Sequence, residues 1–189
     1  MRKIALAISF VLLCASAAMA GELIVNGGFE AGVLDPWYNA QNFCNGTCQS
    51  WAVTNSNSHS GTFSAMDIGN IELRQDFSAV PGSSITSASF WVNNSAGVDA
   101  VDFHYTDSSV EEFVVFPTAG VWSFVDVTSD VNPSKMLDGF SIWSCDPNCV
   151  AYVDDVSIQS SAVPEPGTLA MLGTGVLAVA GAFRRKLGI

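Results

Sequence analysis

Along residues 21–160, apolar and polar positions alternate in short runs broken by turn-forming residues, which is the signature of half-buried strands. Val101, Phe103 and Tyr105 alternate with Asp102 and His104, so one face of that strand is apolar and His104 falls on the wet side. Residues 85–92 form a longer run ending at Asn93-Asn94, in which Phe90 and Trp91 must point to opposite faces. Similar runs at 23–25, 51–53, 71–77, 113–116, 122–127, 140–143 and 150–158 predict nine or ten short strands. Gly27-Gly28, the polar stretch 55–61 and Pro81-Gly82 supply the breaks. No stretch keeps a 3.6-residue period, and no internal repeat is present. The pattern predicts an all-β chain, a β-sandwich of jelly-roll type.

Two apolar stretches lie outside this pattern. Arg2-Lys3 precedes the run 4–13, and Ala18-Met19-Ala20 offers small residues for cleavage, so 1–20 reads as a secretory signal peptide. Cys14 would suit a lipoprotein site, but Leu13 before it is too large for that processing. At the other end Pro164, Glu165 and Pro166 form a stiff, non-helical break. Residues 167–183 then carry no charge, and Arg184, Arg185 and Lys186 close the run. An apolar segment ending in basic residues reads as a membrane helix whose basic end stays cytoplasmic. Its length is about 25 Å, the lower limit for a hydrocarbon core of about 30 Å. The alternative is a buried C-terminal helix. The expected organisation is thus a signal peptide (1–20), one sandwich domain (21–160) and a tail (161–189) with a transmembrane helix at 167–183.

The tail resembles the C-terminal sorting signal of PEP-CTERM proteins, on the Pro-Glu-Pro triplet, the short apolar helix and the basic end. The resemblance implies export in a Gram-negative bacterium, transient anchoring in the inner membrane, and processing by an exosortase-type membrane protease. The final address would be the cell surface or the extracellular matrix.

Charge narrows the function classes. Between the two ends only Arg74 and Lys135 stand against seventeen acidic residues, which excludes nucleic acid as a partner because phosphate binding needs a cationic surface. Four cysteines remain there, Cys44 and Cys48, Cys145 and Cys149, with equal spacing around short turns. In an exported protein they read as disulfides, simplest as Cys44–Cys48 and Cys145–Cys149, with cross pairings or a four-thiolate zinc site as alternatives.

In the last strand, unbroken alternation places Asp154 with Tyr152, Val156 and Ile158 on one face, and Val153, Asp155 and Ser157 on the other. A carboxylate among large apolar residues needs hydrogen bonds or a cation. Almost no Lys or Arg is present to pair with it, and Glu30, after Gly27-Gly28, is a second oxygen ligand for a hard cation such as calcium. The alternative is an Asp that accepts backbone hydrogen bonds at a strand end.

Asn26-Gly27-Gly28-Phe29-Glu30, His59-Ser60-Gly61, Gln75, Pro81-Gly82 and the VDDVSI run at 153–158 together resemble the galactose-binding-like jelly rolls of carbohydrate-binding modules. That resemblance implies a structural calcium at Glu30 and Asp154, with Asp155 as the fallback ligand. Of five tryptophans, Trp37 with Tyr38, in a proline-flanked loop, and Trp51 are the candidate sugar-binding platforms. Catalysis lacks its parts: the two histidines accompany no nucleophile elbow, and adjacent carboxylates such as Glu111-Glu112 point to opposite faces. The expectation is a non-catalytic exported surface or matrix protein associated with exopolysaccharide. The alternatives are a carbohydrate-binding module with specific glycan recognition and, behind it, a glycoside-active enzyme.

Overall fold

The computed structural model describes residues 21–42, 49–97, 99–144 and 149–161. Among these are eleven strands: β1 (Gly21–Glu22), β2 (Tyr38–Asn42), β3 (Gln49–Thr54), β4 (Ser64–Ile68), β5 (Ile71–Pro81), β6 (Ile85–Asn94), β7 (Asp99–Tyr105), β8 (Val110–Val115), β9 (Ser123–Asp126), β10 (Met136–Trp143) and β11 (Val150–Ser160). The run expected at 23–25 is not a strand, while β2 and β4 match none of the expected runs. Short 3-10 turns at Gly82–Ser84 and Thr128–Asp130 are the helical pieces described. The strands belong to one unit, Ala20–Ser161.

Pairing is antiparallel throughout. One sheet runs β3-β4-β11-β6-β9, with β1 added to β11; the other runs β2-β5-β10-β7-β8. Apart from the neighbouring pairs β3-β4 and β7-β8, successive strands cross from one sheet to the other, as in a jelly-roll sandwich. Between the sheets lie Leu73, Phe103, Phe140 and Ile142 from one side and Phe90, Val92, Val153 and Ile158 from the other, all essentially buried. Phe90 is in this core, and Trp91 faces outward to stack on His59.

The last strand departs from simple alternation. Asp155 has φ 49°, and the register with β6 shifts between Asp154 and Ser157. This bulge reverses side-chain parity. Ala151 and Val153 face the core before it, Val156 and Ile158 after it, so Tyr152 does not share their face.

No described helix is long and apolar enough to cross a membrane. The expected signal peptide at 1–20 and membrane helix at 167–183 lie outside the described residues, as do Cys44, Cys48 and Cys145. Cys149 is buried and disulfide-bonded.

Candidate functional site

Three of the sequence-derived candidates are brought together at one corner. Asn26 holds the turn after β1 by donating from Nδ2 to Val33 O and Asp35 O, at 2.8 and 3.2 Å. Gly27 must lack a side chain, because a Cβ there would lie 1.9 Å from Val156 O. Glu30 Oε1 accepts from the backbone N–H groups of Thr62 and Phe63, both at 2.8 Å. Asp154 Oδ2 accepts from His59 N and Ser60 N, and its Oδ1 from Asp155 N. Asp155 accepts from Ser60 Oγ at 2.8 Å, and His59 Nδ1 lies 2.8 Å from its other oxygen. Glu30, Asp154 and Asp155 converge around Gly28, clasping the first turn, the 59–63 loop and β11.

Burial pushes the Asp154 carboxyl above its ordinary pKa, and the neighbouring Asp155 charge adds to this against the backbone N–H bonds. The carboxylates are thus satisfied by hydrogen bonds in the way the alternative reading required. Glu30 Oε1 and Asp154 Oδ2 each accept two bonds and are filled, whereas Asp154 Oδ1 and the two Asp155 oxygens accept one each and keep a second acceptor site; neither Lys nor Arg is bonded to the group. Their oxygen-rich, acidic chemistry is of the kind a hard cation takes, but their ligand atoms do not all lie within 4.8 Å of one another.

The expected sugar platforms fare differently from one another. Trp37 is a core residue: it is buried, packs against Phe29 with centroids 5.9 Å apart, and donates from Nε1 to Asn26 O. Trp51 is also buried, its Nε1 donating to Ile71 O at 2.7 Å. Indole rings whose N–H finds a buried carbonyl are core components, so neither is a platform. Tyr38 alone of the three is exposed.

Tyr38 lies on the outer face of the five-stranded sheet, which sequence reasoning overlooked. On β5 Leu73 points to the core, and Glu72, Arg74 and Asp76 point the other way. β10 contributes Ser141 and Trp143 to that outer face, and β7 contributes Asp102 and His104. His104 is therefore on the face its parity predicts, yet it is buried, not wet. Tyr38 OH donates to Asp76 Oδ2 and Arg74 Nε to Asp76 Oδ1, both at 2.7 Å. Burial, then the Asp76 contact, pushes the Tyr38 hydroxyl up to about 12. Burial also opposes ionisation of Asp76, but the bonds from Tyr38 and Arg74 hold its carboxyl below the ordinary value. Beside Arg74 and His104 opens a cavity of about 320 Å³, lined also by Tyr105, Ser109 and Asp138.

Deeper on the same face, Trp143 Nε1 donates to Asp102 Oδ2 at 2.7 Å, and His104 Nε2 lies 2.9 Å from Ser141 Oγ and 3.2 Å from Glu72 Oε1. Burial raises the Asp102 pKa. For Glu72 the push of burial is outweighed by His104 and Ser141, and its carboxyl sits below the ordinary value. Neither of those approaches to Glu72 has the alignment of a hydrogen bond. The signal that could have found this face was parity read across three strands at once, since Glu72, Asp102 and Ser141 each sit next to a core residue.

Residues 162–186 match the family model of the PEP-CTERM protein-sorting motif. The tail is a PEP-CTERM sorting motif. Ahead of this PEP-CTERM tail, the sandwich is similar in fold to carbohydrate-binding modules. TmCBM61, solved in complex with β-1,4-galactotriose, aligns at 17% identity and a TM-score of 0.54, over 75% of this chain and 99% of that one. The CBM22-1 xylan-binding domain of Paenibacillus barcinonensis Xyn10C aligns at 14% identity and 0.53, over 78% and 99%. A family 16 carbohydrate-binding module aligns at 16% and 0.52, over 72% and 98%. No curated protein gives a significant sequence match to the chain.

Proposed function

We propose that this is an exported glycan-binding sandwich, handed by its PEP-CTERM tail to an exosortase-type protease and displayed at the cell surface or in the matrix. There it associates with exopolysaccharide without altering it. The observation that carries this reading is the outer face of the five-stranded sheet, where Arg74 and His104 help line a cavity of about 320 Å³ and Asp76 links Arg74 to the exposed ring of Tyr38 beside it. A few convergent polar groups beside an aromatic ring are what a sugar site requires, the ring for a pyranose face and the charged groups for hydroxyls. The dense negative charge of the domain repels polyanions, so a neutral polysaccharide is the favoured ligand. Calcium held by Glu30, Asp154 and Asp155 has a structural role in this reading, fixing the corner where the domain begins.

A glycan array probed with the full chain tests it. Binding to neutral glycans should fall about 10- to 100-fold in Arg74→Ala, since a charge-assisted hydrogen bond contributes about 1.5–3 kcal/mol. Tyr38→Ala should weaken it further through the lost ring. Silence across neutral and acidic glycans would leave a passive acidic matrix protein instead.

A further inference from the structure

We propose that Glu72, Asp102 and His104 form a binding site for one divalent transition-metal ion of the zinc type. The three come from β5 and β7, and all are buried. Their candidate ligand atoms lie within 4.8 Å of one another, and no other group of three or more such side chains among the described residues does so. Both oxygens of Glu72 and Oδ1 of Asp102 lack a hydrogen-bond partner, although Glu72 is fully buried. Buried carboxylate oxygens without partners are costly and rare, and a bound cation is one of the few ways to satisfy them.

The surroundings prepare the ligands. Trp143 Nε1 binds Asp102 Oδ2, which fixes the carboxylate and leaves Oδ1 as its ligand atom. Ligand atoms in a tetrahedral zinc complex stand about 3.3–3.5 Å apart. His104 Nε2 and Glu72 Oε1 are already 3.2 Å apart. The Ser141 hydroxyl near Nε2 gives up that nitrogen to the ion. Arg74 bonds Asp76 through Nε and makes no hydrogen bond to Glu72 or to Asp102 Oδ1, which leaves those oxygens for the ion. Two carboxylates balance the ion's charge, and one imidazole with two oxygens selects a zinc-type metal over calcium, which takes six to eight oxygens. A fourth position stays open for water or a ligand hydroxyl. This proposal does not rest on the glycan reading.

The test uses the untagged full chain, stripped with chelator and titrated calorimetrically with Zn²⁺ alone. One ion per chain is expected. Glu72→Gln and His104→Gln should each weaken binding tenfold or more, and Asp126→Asn, at an exposed site bonded only to Thr128, should bind as the parent does. A parent that takes up no zinc overturns the proposal, as do folded Glu72→Gln and His104→Gln chains that bind like the parent. If those variants fail to fold, proton NMR of the parent decides, because the chain has only two histidines. The imidazole signal that moves on adding Zn²⁺ should persist in His59→Gln; its disappearance there would assign the ion to His59 and overturn the site.

Discussion

Asp99, at the start of β7, is buried and accepts a hydrogen bond from Asn94 Nδ2, and its Oδ1 has no partner. Burial pushes its carboxyl from 3.8 up to about 7. The folded chain thus holds this proton more tightly than the unfolded chain does. The resulting stabilisation is complete below pH 3.8 and drains away as pH rises towards 7. Urea unfolding of the parent should show a loss of about 2–3 kcal/mol between pH 5 and pH 8 from this group. Asp99→Asn cannot ionise and should remove that share of the slope; an unchanged slope would rule Asp99 out as its source. Gly61 is a second single-residue test. It has φ +59°, and a Cβ there would lie 2.4 Å from Glu30 Oε1. Gly61→Ala should cost about 1–3 kcal/mol, because Glu30 can yield only by leaving Thr62 N and Phe63 N.

At the scale of elements, the clasp joins the first turn and the 59–63 loop to β11. If calcium binds there, chelation loosens both ends of the domain. At a hundredfold excess over Kd the ion adds about 2.7 kcal/mol, roughly 5–10 °C in melting temperature. Melting of the parent in millimolar calcium and in chelator, beside Asp154→Asn, measures this. An indifferent parent removes calcium from the account, and an equal response in the variant moves the ion elsewhere. Alternation made most of the strands legible, β6 and β7 above all, because period two survives wherever one face packs on the core. It misled at β11, where one added residue at Asp155 flips the parity and nothing local announces it. Trp37 and Trp51 looked like surface rings because their partners, Asn26 O and Ile71 O, are backbone atoms distant in sequence. The outer-face cluster was hidden for a related reason. Its members come from β5, β7 and β10, and no single-segment spacing records a meeting of three strands.

For the whole molecule, the tail sets the address. Replacing Pro164, Glu165 and Pro166 by alanine should abolish processing, so immunoblots of fractionated cells should find the chain in the membrane and none released; normal release would separate export from this motif. The pairing of β11 adds a mechanical consequence. Its last residues lie between two partners, with Gly21 opposite Ser160 and Glu22 opposite Gln159 on one side, and Ile85 and Ser87 on the other. Ser161 N then donates to Ser84 O at 2.7 Å. Tension applied through the tail therefore enters the sandwich along an interior strand, and it cannot strip that strand away from one free edge. The load is shared by hydrogen bonds on both flanks, so a domain tethered at this end is built to resist drag.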